Sequence, residues 1–164
     1  FRVVELSWWE SFSYKGIEFH AVPAQHFSGR GLWDRNKTLW AGFVIEVPFQ
    51  QEKKKIYFAG DTGYNPHDFK LIGKNFGAMD LSLLPIGSYL PEKFMHPIHI
   101  NPSHAVQIHE DVHSKLSIGM HWKTFSLGDE PLDQPPYDLF LALQKKQIPY
   151  SKFLAIQPGT YVNF

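Results

Sequence analysis

The stretch at residues 56–64, IYFAGDTGY, decides the fold. Its first residues are apolar or small, which predicts a buried strand, and Gly-Asp-Thr-Gly follows at once. Asp61 therefore comes at the carboxyl-terminal tip of the strand, between glycines that permit close backbone approach. A carboxylate there can bridge two cations through its two oxygens. Asp-Thr-Gly is also ordinary turn chemistry, so both interpretations stay open for the motif alone.

The residues before this stretch have the texture of strands. Residues 2–47 contain three segments rich in β-branched and aromatic residues, RVVEL, GIEFHAV and TLWAGFVIEV, separated by turn residues. We expect three strands here. The basic run at residues 53–55 is expected to end an exposed turn before the strand that starts at Ile56.

The residues after this stretch alternate between helix and strand. Helices are predicted near residues 66–74, 102–112 and 137–146, and the segments MDLSLLPI, LSIGMHW and FLAIQ are predicted strands. Asn65 and Asn101 can cap the turns that the prolines after them begin. The order predicts an α/β fold with helices packed on a sheet and functional side chains at strand ends.

Bulk composition narrows the classes of function. The chain has 164 residues, 43% of them hydrophobic, which predicts one compact domain. Sixteen basic residues balance sixteen acidic ones, so no nucleic-acid partner is expected. The absence of cysteine excludes thiolate ligands and disulfides. We expect no transmembrane segment or signal peptide, and a cytoplasmic or peripheral membrane location.

Two histidines repeat the position of Asp61 at the end of a predicted strand. His26 lies in PAQHFSGR, in a loop that follows a strand, and His121 lies in IGMHWKTF, at the end of another. Strand ends of this kind gather along one rim of a sheet. We therefore expect His26, Asp61 and His121 to converge on a metal.

A competing metal motif occurs in a predicted helix. His109 to His113 spell His-Glu-x-x-His, the pattern of zinc peptidases with two imidazoles one turn apart. The helix is short, however, and no clear third ligand follows it. We regard a peptidase as the weaker interpretation.

Several blocks together resemble a known family. PAQHFSGRG, NKTLW, IYFAGDTGY, MDLSLLPIGSY, HPIHINPSHAVQIH and GMHWKTF resemble, in that order, the second half of the N-acyl-phosphatidylethanolamine phospholipase D group of the metallo-β-lactamase superfamily. The resemblance implies a four-layer αββα sandwich of two similar halves, with two zinc ions in the cleft between them. This chain would be the C-terminal half, a mixed sheet with helices packed on one face.

The resemblance also implies roles for single residues. His26 would bind one zinc ion, His121 the second, and Asp61 would bridge them as a catalytic carboxylate. His99 would lie near the substrate phosphate as a substrate-binding and catalytic residue. Such a site supplies hydroxide at neutral pH by lowering the pKa of water on the metal. The implied reaction is phosphodiester hydrolysis, in an N-acyl-phosphatidylethanolamine-type phospholipid.

One family element does not occur in these residues. The His-x-His-x-Asp-His cluster of the first half is absent from the sequence, and the sequence starts at Phe1 rather than Met. We therefore expect residues 1–164 to be a single partial domain whose partner is the missing N-terminal half. Three ligands shared by two ions leave both under-coordinated, which predicts weak or partial zinc occupancy and an inactive chain.

Two alternatives remain open beside this interpretation. A sugar-phosphate lactonase of the same superfamily would use the same metals on a soluble ester. A catalytically dead half-domain would instead associate with itself through an exposed face as a homo-oligomer. Phe27, Leu32 and Trp33 could also form an apolar lip for peripheral membrane contact.

Overall fold

The computed structural model describes residues 3–164 and contains one seven-stranded mixed sheet. The strands lie in chain order, and they are β1 (Ser11–Tyr14), β2 (Ile17–Val22), β3 (Gly42–Phe49), β4 (Glu52–Phe58), β5 (Leu81–Pro85), β6 (Ser117–Met120) and β7 (Phe153–Leu154). Strands β1 to β4 pair antiparallel, whereas β4 to β7 pair parallel. Hairpins therefore form the first part of the sheet and helical crossovers the second.

Four α-helices connect and cover the strands. They are α1 (Pro66–Phe76), α2 (Glu92–Met95), α3 (Pro102–Asp111) and α4 (Gln134–Lys146). The asparagine caps are confirmed, because Asn65 accepts a hydrogen bond from the Asp68 N–H and Asn101 accepts one from the His104 N–H. Within the described residues, the helices all lack the length and apolarity needed to cross a membrane.

The two faces of the sheet differ in their cover. One face forms a single core with the helices: Val22, Val44, Tyr57, Leu84 and Phe153 from strands, and Phe69, Ile72, Ile108 and Leu139 from helices. Side chains at the alternate positions stay partly or fully exposed: Phe19, Phe43, Ile45, Ile56, Phe58, Leu83, Ile118 and Leu154. We call this second apolar surface the open face. The α/β expectation, with helices packed on one face of a mixed sheet, is confirmed.

One strand prediction near the amino terminus was wrong, and one strand there was not predicted. Residues 3–6 of RVVEL form no strand, and Arg2 lies outside the described residues. The first strand is instead β1, which pairs with β2 around Lys15 and Gly16, both at positive φ. The segment SFSY alternates serine with aromatic residues, but it is only four residues long and mostly exposed, and its strand is stabilised by pairing with β2.

The basic run at residues 53–55 was also assigned wrongly, since it belongs to β4 and pairs with β3. Lys53 is drawn onto the sheet by Glu18 and Glu46, whose carboxylates lie 3.2 and 2.7 Å from its ammonium. Lys55 donates to the carbonyl of Phe76 at the end of α1. Tertiary partners therefore keep these lysines in a strand.

A close approach between helices depends on one glycine. Gly73 in α1 lies against the end of α3, where a Cβ at this position would come 2.1 Å from the carbonyl oxygen of Asp111. Backbone atoms cannot give way as a flexible side chain can. Gly73 therefore sets how closely α1 packs against the α3 terminus.

The His-Glu-x-x-His motif does not form a peptidase site. His109 points inward, where its Nδ1 lies 2.8 Å from the Ser117 hydroxyl. Helix α3 ends at Asp111, and the exposed His113 lies beyond it at φ 53°. The two imidazoles therefore do not share a helix face.

We expect Gly73→Ala to lower the free energy of unfolding by about 1–3 kcal/mol, because the added methyl forces α1 away from α3. Urea unfolding followed by circular dichroism measures the change. Lys70→Ala is the matched control, since Lys70 lies exposed on the same helix and its loss should cost no more than about 0.5 kcal/mol. Equal midpoints for the two variants would contradict this packing.

We expect His109→Gln to reduce the change in the free energy of unfolding with pH. Burial lowers the pKa of His109, so below the ordinary histidine value the unfolded chain binds a proton that the folded chain resists. The free energy of unfolding should then fall as the pH drops from about 8 to about 5.5. The fall should be smaller in His109→Gln, and unchanged in the exposed-site control His113→Gln. Identical pH profiles for all three proteins would show that His109 does not contribute.

Candidate metal centre

Five strands of the sheet run in the same direction, and four of them, β2, β4, β5 and β6, lead into the loops of the candidate site. Strand β2 is antiparallel to β3 and so parallel to β4, which is followed by the parallel strands β5 and β6. His26, Asp61 and His121 follow β2, β4 and β6, and His99 lies in the connection that follows β5. The carboxyl ends of these strands therefore bring four polar side chains to one rim.

These four side chains form one cluster. Ligand atoms of His26, Asp61 and His99 lie within 4.8 Å of one another. The Nε2 atom of His121 lies 3.4 Å from Oδ1 of Asp61, and the His121 ring is 5.3 Å from that of His99. Three imidazoles and one carboxylate are a donor set typical of zinc.

The hydrogen bond of His26 fixes which of its nitrogens carries the proton. Its Nδ1 lies 2.9 Å from the carbonyl oxygen of Phe27, and only an N–H can donate to that oxygen. The lone pair therefore belongs to Nε2, which is buried and has no hydrogen-bond partner within residues 3–164. Stacking on Phe27, at 4.8 Å between ring centroids, holds the imidazole in this orientation. An oriented, unshared lone pair is what a metal ligand requires.

The other histidines also carry unpartnered nitrogens. Nδ1 of His99 and Nδ1 of His121 are both buried, and no residue in the described part of the chain bonds to them. Burial lowers the pKa of His99, which favours its neutral imidazole. Contact with His121 lowers the pKa of Asp61, and the same contact raises the pKa of His121. The site thus contains an ionised carboxylate beside imidazoles with nitrogens available to a cation.

Gln25 connects three of the loops that carry the cluster. Its backbone N–H donates to the Thr62 hydroxyl, its carbonyl accepts from the Gly63 N–H, and its side-chain amide donates to the carbonyl of Pro97. A Cβ on Gly63 would lie 2.5 Å from the Pro97 oxygen. Gln25 and Gly63 therefore hold the segments of His26, Asp61 and His99 together. The sequence analysis did not identify Gln25, although it directly precedes His26.

The loop after β5 is held by a buried acid that sequence reasoning also missed. Glu130 accepts hydrogen bonds from the backbone N–H groups of Ser88 and Leu90. The adjoining Gly87 lies where a Cβ would come 2.3 Å from the carbonyl of His121. His121 itself has φ 60°, a conformation that non-glycine residues seldom adopt. The two loops beside the cluster are thus packed tightly against each other.

A second group of donors lies elsewhere on the sheet. Glu18, His20 and Glu46 bring ligand atoms within 4.8 Å of one another on β2 and β3. The ammonium of Lys53 binds both carboxylates, and its hydrogen bond lowers the pKa of Glu46. A cation is therefore already supplied by the chain, and we interpret this group as an ion-pair network.

The structure places His26, Asp61 and His121 at one rim, as the strand ends indicated, and it adds His99 beside them. Their roles as zinc ligands, and that of His99 toward a phosphate, stay predictions. The fit to a metal depends on the buried unpartnered nitrogens and on the short distances between donors.

Comparison with known proteins agrees with this geometry. Over 163 residues the chain is 37% identical to N-acyl-phosphatidylethanolamine-hydrolyzing phospholipase D 1 of Caenorhabditis elegans, which covers 96% of this chain and 45% of that protein. It is 40% identical over 139 residues to the mitochondrial N-acyl-phosphatidylethanolamine-hydrolyzing phospholipase D of Saccharomyces cerevisiae, covering 82% and 29%. The chain thus spans less than half the length of either relative.

A solved structure shows the same fold at lower identity. Igni18, a metallo hydrolase from the archaeon Ignicoccus hospitalis, superposes with a TM-score of 0.68 at 21% identity, covering 98% of this chain and 60% of that one. Residues 1–122 match the family model described as the beta-lactamase superfamily domain. With helices on one face of its sheet and donors at one rim, the chain belongs to the metallo-β-lactamase superfamily.

Proposed function

We propose that this chain contributes part of a metal-dependent active site that hydrolyses a phosphodiester bond in an N-acyl-phosphatidylethanolamine-type phospholipid. The observation that carries the proposal is the convergence of His26, Asp61, His99 and His121, with buried nitrogens that lack protein partners among residues 3–164. The names of the two relatives at 37% and 40% identity support the substrate class.

The residues that would hold the metals are His26, Asp61 and His121. Imidazole nitrogens and a carboxylate are ligands that suit zinc, and these three side chains would hold it. When bound, two such ions lower the pKa of water and neutralise charge that develops at phosphorus. The Phe27 carbonyl keeps the His26 proton on Nδ1, which leaves Nε2 free to act as a ligand.

His99 has a different role in this proposal. Its ring lies 5.5 Å from that of His26 and 5.3 Å from that of His121. Burial favours the neutral imidazole, which has one N–H to donate. We assign His99 to hydrogen bonding with a phosphate oxygen of the substrate, which would orient the phosphodiester in the cluster.

The remaining ligands must come from another segment. Stable zinc sites hold three or four protein ligands per ion, more than His26, Asp61 and His121 offer to two ions. The open face is a suitable surface for that segment, because its alternate apolar side chains are left partly exposed. We propose that a half carrying a His-x-His-x-Asp-His cluster packs on the open face, and that the chain alone holds zinc weakly and is inactive.

We expect His26→Gln to lower the zinc affinity of the chain by at least about tenfold, because it removes an oriented lone pair from the cluster. Equilibrium dialysis over a range of zinc concentrations measures the affinity. His67→Gln is the matched control, since His67 has a side chain that is 83% exposed and should bind zinc as the wild type does. A chain that loses no affinity through His26→Gln would refute the assignment of His26 as a ligand.

We expect a segment that carries the His-x-His-x-Asp-His cluster, added to this chain, to produce hydrolysis of N-acyl-phosphatidylethanolamine. Asp61→Asn should then lower the rate by at least about 100-fold, because a neutral amide binds the cations weakly. His113→Gln, an exposed change beyond α3, is the control and should leave the rate unchanged.

The same assay, run with N-acyl-phosphatidylethanolamine and with a sugar-phosphate lactone, separates the phospholipase from the lactonase. Faster cleavage of a sugar-phosphate lactone than of the lipid would favour the lactonase. Failure to gain activity or zinc on adding the segment, with light scattering showing a stable homo-oligomer of the chain, would instead indicate the catalytically dead half-domain.

A further inference from the structure

The connection between β2 and β3 presents two large apolar side chains to solvent. Leu32 is 92% exposed and Trp33 is 86% exposed. We call this pair the apolar tip. Each side chain thus leaves most of its apolar area in water, which costs free energy that burial would recover. Adjacent exposed apolar residues of this size therefore indicate a surface that meets an apolar phase.

The backbone around the apolar tip is already ordered. The Asp34 carboxylate accepts hydrogen bonds from the N–H groups of Arg30 and Gly31, at 3.0 and 2.8 Å. At the base of the loop, the Asn36 N–H donates to the carbonyl of Ser28 at 2.7 Å. A turn that is folded before binding loses little conformational entropy when it binds.

Basic residues flank the apolar tip in the sequence. Arg30, Arg35 and Lys37 lie within five positions of it and are exposed, whereas the carboxylate of Asp34 is engaged by the turn. The chain as a whole carries no net charge, so this positive group is a local feature. Tryptophan and leucine beside arginines suit the interface of an anionic bilayer, where each kind of side chain meets its complement.

Contacts through Phe27 connect this loop to the candidate metal centre. The guanidinium of Arg35 lies 5.4 Å from the centroid of the Phe27 ring. Phe27 stacks on His26, with 4.8 Å between centroids and 8° between the planes. A surface bound by the loop would therefore lie beside the residues proposed to act on a phospholipid.

We propose that the apolar tip inserts into the headgroup region of an anionic phospholipid bilayer, with Arg30 and Arg35 against lipid phosphates. The purpose of this contact, presenting lipid to His26 and its neighbours, rests on the proposed function. The contact itself requires neither metal nor catalysis. Bilayer binding and zinc binding are therefore separable measurements on the same chain.

The test is flotation of the full chain with vesicles of phosphatidylcholine alone and of phosphatidylcholine mixed with phosphatidylglycerol. We expect binding to the mixed vesicles that weakens as salt is added. The double variant Leu32→Ser, Trp33→Ser should bind at least about tenfold less. Tyr14→Ser is the matched control, because Tyr14 is an exposed aromatic residue at the opposite end of β2, and it should bind as the wild type does.

Each other outcome has a defined meaning. Equal binding by the double variant and the wild type overturns the inference, as does an absence of vesicle binding by the wild type. Loss of a homo-oligomer in the double variant, without vesicle binding by the wild type, also overturns it and assigns the tip to contacts between copies. A chain that gains zinc and hydrolysis on addition of the His-x-His-x-Asp-His segment but does not bind vesicles overturns this inference and leaves the proposed function standing. A chain that binds vesicles but gains neither zinc nor hydrolysis from that segment removes the proposed function and keeps this inference.

Discussion

The shared direction of the four strands that lead into the site is the constraint on which the rest of this structure depends. Because β2, β4, β5 and β6 run the same way, residues far apart in the chain finish at one edge. A residue in the loop after any of these strands is therefore already close to the cluster. The hairpin and crossover connections that produce this direction thus do as much for the site as the polar residues themselves.

Polar groups without partners are expensive in a folded chain, and within residues 3–164 three of the five buried side-chain atoms of this kind lie in one cluster. Buried nitrogens of His26, His99 and His121 have no bonding partner in residues 3–164. The unusual backbone of His121 adds a further cost. Tightly packed loops with contacts through Gln25 and Glu130 oppose the relaxation of these groups. These features lower the stability of the fold at a place where a bound cation would raise it again. Such a local loss of stability is characteristic of binding sites.

Sequence reasoning succeeded where local and periodic signals coincide. The apolar run that ends in Asp61 and the asparagine-proline helix starts were sufficient for the core strand and for α1 and α3. It failed for β1 and for Lys53, because the alternating pattern of SFSY is only four residues long and Lys53 pairs with acids on neighbouring strands. The gathering of His26, Asp61 and His121 could be inferred from strand ends, but Gln25 and Glu130 could not, since their contacts are backbone groups of other loops.

Gln25 has an effect beyond its own hydrogen bonds. Its hydrogen bonds join the loops after β2, β4 and β5. Gly63 packs so closely against Pro97 that the loops after β4 and β5 cannot move together any further. Loops that cannot shift keep the distances between the donor atoms constant. Constant distances suit one ionic radius better than others. Selectivity among divalent ions would then be determined by a residue that coordinates none of them.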